Sequence, residues 1–122
     1  VIAFANRLPA AKLDATAREM SSLMRYARLQ AKIQGKEQRV VIDLNAGTYG
    51  LEGVKIRVIP EEVHIEIDAS SVGKENDGIF RLHFSPLGAT DAPVISLSAG
   101  RKGISLKPDP VTGIQISRRN KD

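Results

Sequence analysis

Cysteine is absent from the 122 residues. That removes disulfides, thiolate metal ligands and thiol nucleophiles from consideration. Tryptophan is absent too, and aromatic residues make up only 4%. The core must therefore be aliphatic, and a large aromatic platform for stacking single-stranded nucleic acid is not expected. No run of eighteen or more apolar residues occurs, so nothing in the segment is expected to span a bilayer as a helix. No signal peptide is visible. Gly-x-Ser-x-Gly, His-Glu-x-x-His and the dinucleotide fingerprint are all missing. Together these absences point away from an enzyme, and no catalytic residue, cofactor or metal is expected.

What is present describes an ordinary folded domain. Hydrophobic residues make up 42% and charged residues 26%, within the usual range for a globular protein. The length fits one domain with one core, residues 1–122. The net charge of +4 is uneven. Residues 1–40 hold eight Lys/Arg against three Asp/Glu, and the remaining 82 residues come close to neutrality. The positive charge is thus a property of one surface.

Residues 1–35 read as one long helix. Pro9 suits a first helical turn, where its missing N–H costs nothing. No Gly or Pro follows until Gly35, a plausible C-terminal stop. Leu13, Ala17, Met20, Leu23, Met24, Ala27 and Ala31 fall on a stripe about 120° wide at 100° per residue. Basic side chains occupy another face: Arg7, Arg18, Arg25, Arg28, Lys32 and Lys36, with Leu29 intruding. The short apolar start, Val1-Ile2-Ala3-Phe4-Ala5, is either a frayed terminus or the end of a longer apolar segment.

After Gly35 the period changes from 3.6 to 2, and residues 36–122 read as a β domain. Val40, Ile42 and Leu44 alternate with Val41 and Asp43, and Asn45-Ala46-Gly47 reads as a hairpin loop with Gly in the left-handed position, from which Thr48-Tyr49-Gly50-Leu51 returns. Val54-Ile56-Val58, Val63-Ile65-Ile67, Phe80-Leu82-Phe84, Ile95-Leu97, Ile104-Leu106 and Ile114-Ile116 repeat the alternation. Residues 69–78 read as a polar loop. About seven or eight short strands with short connections predict antiparallel sheet with one buried face. A helix with one apolar stripe and sheets with one apolar face must cover each other. The expected fold is α+β: a long N-terminal helix on antiparallel sheet, with room for a second small sheet.

Candidate chemistry is sparse. His64 and His83 fall on polar strand faces; an acid–base or metal pair would need their strands to be neighbours. Asp43-Leu44-Asn45-Ala46-Gly47 resembles the start of a calcium loop, but Val54 stands where the bidentate Glu belongs. Glu61-Glu62 is an exposed pair with no evident pocket. Two basic features remain. One is the helix stripe, with Arg18, Arg25, Arg28, Lys32 and Lys36 as a candidate partner interface. The other is the tail, with Arg118, Arg119 and Lys121 as candidate phosphate contacts.

Several short motifs, in order, resemble the GspH/FimT-type minor pseudopilins and pilins. They are Leu8-Pro9; Tyr26-Ala27-Arg28 followed by Ala31, Gly35 and Val40; Phe84-Ser85-Pro86-Leu87-Gly88; and Ile95 to Leu97 with Gly113-Ile114 after a Thr. The resemblance implies a pilin-like fold and a structural subunit of a type II secretion pseudopilus. It implies an N-terminal apolar half-helix, missing here, that anchors the subunit in the bacterial inner membrane with its folded part in the periplasm. Its partners would be other major and minor pseudopilins and the secretion machinery. A related branch, type IV minor pilins of the DNA-uptake kind, binds nucleic acid through a Gly-Arg-x-Arg element. The tail here reads Ser117-Arg118-Arg119-Asn120, without that Gly.

Overall fold

The computed structural model describes the backbone of residues 2–54, 56–69, 73–75, 78–111 and 113–120, with side chains at 8–54, 56–68, 78–111 and 113–119. Among the described residues one helix, α1 (Ile2–Gln34), precedes nine strands: β1 (Gln38–Asp43), β2 (Thr48–Leu51), β3 (Ile56–Val58), β4 (His64–Ala69), β5 (Gly73–Glu75), β6 (Ile79–Phe84), β7 (Val94–Ala99), β8 (Lys102–Asp109) and β9 (Gly113–Asn120). The strands form two antiparallel sheets, ordered β3-β2-β1-β6 and β5-β4-β7-β8-β9. The expected α+β class is observed, and the room left for a second sheet is filled by a full one.

The helix stops where expected. Gly35 has φ 65, a left-handed position that only glycine adopts without strain. Gly47, φ 70, closes the first hairpin as anticipated. Its amide bonds the Asp43 carbonyl at 2.9 Å, and the Ala46 amide bonds Asp43 Oδ1 at 2.9 Å.

The inner stripe of α1 is buried as predicted. Leu13, Ala17, Met20, Met24, Ala27 and Ala31 are all within the core, and Leu23 packs at its margin. They meet Val40, Ile42, Tyr49, Leu82 and Phe84 from the first sheet, and Ile95, Leu97, Ile104, Leu106 and Ile114 from the second. The helix lies against β1, β2 and β6 of one sheet and β7, β8 and β9 of the other.

Four expectations are corrected. Pro9 lies inside the helix rather than in its first turn. Its ring is compatible with helical φ, and the break costs one hydrogen bond, that to the Ala5 carbonyl. Among the described side chains of the helix, the first fully buried one is Leu13, one turn beyond Pro9. Second, Val54, Ile56 and Val58 alternate but do not face the core; they are 59%, 66% and 75% exposed. Arg57 between them is exposed as well, reaching Glu19 of α1 at 3.5 Å, so β3 has no buried face. Third, Gly73–Glu75 within the expected loop is a strand on β4. Fourth, the expected tail is strand to Asn120, paired along β8. Val1 and Lys121 lie outside the described residues, as do the side chains of residues 2–7.

Candidate interaction surfaces

The basic stripe of α1 is divided by the sheet beneath it. Arg25 Nη2 donates to the Ile114 carbonyl at 2.9 Å, and Arg28 Nη2 to the Pro110 carbonyl at 3.2 Å. Both guanidiniums thus tie the helix to the β8–β9 hairpin. A charge-assisted bond of this kind is stronger than a neutral one. Arg18 lies 3.8 Å from Asp14, one helical turn earlier. Lys32 and Lys36 are exposed and make no ion pair among the described residues. The Lys32 stem lies along the turn at Gly88, with Cε 3.6 Å from the place a Cβ there would take.

Arg118 and Arg119 sit on β9, an edge strand, and strand alternation sends them to opposite faces. Arg118 turns to the helix and pairs with Asp14 at 3.3 Å. Arg119 stands on the outer face beside Gly103 and makes no ion pair among the described residues. Lys102, Arg118 and Arg119 share a groove of about 320 Å³ with Ala10, Leu13 and Asp14.

The remaining polar candidates are dispersed. His64 is on β4 and His83 on β6, strands of different sheets, so they are not neighbours. Each has its own acid: His64 lies 3.8 Å from Glu66, and His83 Nδ1 lies 2.8 Å from Asp91 Oδ2. Asp91 also accepts the His83 amide at 2.7 Å. Glu62 accepts from Lys12 at 2.7 Å, and that bond, with a backbone amide, holds its carboxyl below the ordinary range. Asp43 and Asn45 accept backbone amides at the first hairpin and at Gly78. Among the described residues no group of three or more His, Asp or Glu could hold a metal ion.

One surface was not singled out by the charge pattern. Leu8, Tyr26, Leu29 and Ile33 are 47%, 51%, 53% and 67% exposed. Tyr26, Leu29 and Ile33 follow the i, i+3, i+7 spacing, and Leu8 precedes Tyr26 by five full turns. With the exposed small residues Ala11, Ala15 and Ser22 they fall within an arc of about 60°, opposite the buried stripe. The spacing is legible in the sequence, but the stronger inner stripe and the cations beside it hide it. The chain's other strongly exposed apolar side chains include Leu87 and Val111, 95% and 84% exposed at the tips of two turns. Comparison with known proteins adds no name to these surfaces: no family model, curated protein or solved structure matches the chain.

Proposed function

We propose that this chain is the folded domain of a GspH/FimT-type minor pseudopilin with a pilin-like fold. In this reading it is a structural, non-enzymatic subunit of a type II secretion pseudopilus, working in the periplasm and anchored in the bacterial inner membrane. It assembles with other pseudopilins and the secretion machinery to move folded proteins across the outer membrane. The observation that carries the reading is that α1 is apolar on two opposite faces. A helix with a second apolar face has more apolar surface than its own domain covers, which marks that face for a partner. Here one face is covered by the chain's own sheets, and the other, from Leu8 to Ile33, is left for neighbours. The Leu-Pro, Ala-Arg-x-x-Ala and Phe-x-Pro-x-Gly motifs agree with it.

The test changes only the outer face. The full-length protein carrying Leu29→Asp and Ile33→Asp should fail to support secretion in a strain lacking the native copy. The melting temperature of the isolated domain should barely move, because both side chains are exposed and surface changes cost about 0.5 kcal/mol or less each. Normal secretion by the double variant would remove the reading's support.

A second reading, a type IV minor pilin that binds DNA, draws on Arg119 and Lys102. They lie at the same end of the β8–β9 ladder, and neither makes an ion pair among the described residues. Gel-shift titrations across a salt series separate the readings. DNA binding that weakens steeply with salt and is reduced more by Arg119→Ala than by Arg118→Ala, whose guanidinium is already engaged by Asp14, favours DNA uptake.

A further inference from the structure

An apolar cleft of about 260 Å³ opens beside the last third of α1. Its floor is the core itself: Met24, Phe84 and Ile114. One wall is the turn from Phe84 to Thr90, and the other is formed by Pro108, Asp109, Pro110 and Gly113 at the β8 and β9 ends. Clefts that enclose whole small ligands measure roughly 300–1,000 Å³. This one is smaller, and its size suits a single leucine- or phenylalanine-sized side chain.

The mouth is shaped by glycine. Gly88 has φ 92 and Gly113 has φ 96, so neither position accepts a side chain without strain. A Cβ on Gly113 would also lie 3.4 Å from Arg28 Nη1. With both positions bare, Arg28 and Lys32 lie across the two lips. Arg28 uses one nitrogen on the Pro110 carbonyl, which leaves most of its five N–H donors open to an acceptor. Lys32 makes no ion pair among the described residues. The lining carboxylate, Asp109, already accepts the Val111 amide at 2.7 Å. Leu87 and Val111 stand exposed at the tips of the flanking turns. The cleft therefore offers an apolar slot, an apolar border and a rim that is positive on balance, with Arg28 and Lys32 against the one carboxylate of Asp109.

We propose that this cleft is the docking site for an acidic segment of a partner protein, which inserts one apolar side chain between the two turns and sets neighbouring carboxylates against Arg28 and Lys32. A single well-seated apolar anchor supplies most of the binding energy of many interfaces. The charges fix orientation and exclude basic partners. Identifying that partner as another filament subunit rests on the reading above; the chemistry of the segment does not.

The probe is an acetylated peptide, Asp-Glu-Phe-Glu-Asp, titrated into the ¹⁵N-labelled domain and followed by amide shifts. Saturable shifts are expected at Gly88, Ala89, Gly113 and Ile114. Replacing the Phe by Gly, or the four acids by Lys, should weaken binding at least tenfold. Ala89→Phe, which fills the slot from its exposed rim, should abolish the shifts while the spectrum stays dispersed. Lys32→Glu, on the surface, should weaken the acidic peptide by severalfold without touching the fold. Absence of saturable shifts up to about 5 mM peptide, weaker than any useful single-anchor contact, overturns the proposal. So does equal binding of the Gly peptide, or shifts centred on Tyr26 and Ile33. Concentration-dependent shifts of the cleft amides without peptide also overturn it, making a second copy the occupant. Peptide binding together with normal secretion by the Leu29→Asp, Ile33→Asp protein would keep the cleft and discard the filament reading.

Discussion

Tyr49 shows how much of this domain is decided by single polar contacts beneath an apolar surface. Its ring is buried on β2, and its hydroxyl donates to Glu19 Oε2 on α1 at 3.0 Å. Burial and then the bond to Glu19 push its pKa up to about 12. Both effects disfavour the phenolate. The folded value lies above the ordinary 10.0. The stabilisation is therefore whole below about pH 10 and is lost as pH rises toward 12. In a Tyr26→Phe background Tyr49 is the sole tyrosine of the two in the chain. Phenolate absorbance should then appear only near pH 12 or on unfolding, whichever comes first. Titration near 10 with the fold intact would show that the hydroxyl is not held as described. The sequence disclosed that Tyr49 lay on a strand, but not its partner. Glu19 is thirty positions away, and only the crossing of α1 over β2 brings the two together.

Periodicity identifies elements better than it identifies their faces. The inner stripe of α1 and the buried residues of β1, β6, β7 and β8 were legible because burial and alternation agree there. At β3 they part. The strand lies at a sheet edge, beyond the strands that α1 covers, so no core exists on either side for Ile56 and Val58 to enter. Tail chemistry misled in the same way at β9. Ser117-Arg118-Arg119 is a poor strand sequence by itself, and its conformation is imposed by eight paired positions along β8. The basic stripe looked like a free surface because charge cannot reveal a carbonyl opposite it. Arg25 is instead a brace between α1 and β9. Arg25→Met keeps the apolar stem and removes the donor to Ile114. It should cost about 1.5–3 kcal/mol, the range for a hydrogen bond to a charged group. Lys32→Met, with no such bond, should change urea stability by less than about 0.5 kcal/mol. Equal effects from the two would mean that the Arg25 bond contributes nothing.

At the scale of the molecule, the two sheets are held together through the helix. Their described strands make no close backbone approach to each other, whereas α1 lies against three strands of each. Met24 sits at this junction, fully buried, bordering Phe84 of one sheet and Ile114 of the other. The domain should consequently unfold as one unit, since neither sheet keeps its apolar face covered once the helix leaves. Met24→Ala removes packing on both sides at once and should cost about 2–5 kcal/mol, a large part of the 5–15 kcal/mol typical of a domain. Exchange protection at Ile42 in β1 and Leu97 in β7 should fall together in this variant, with far-UV circular dichroism following the same midpoint. Protection lost at one strand and kept at the other would mean that the sheets are stable apart. The helix would then be a clamp added to finished sheets, rather than the element on which both are built. That outcome would also weaken the argument from its two apolar faces, because a helix dispensable to its own domain has no fixed outer surface to present.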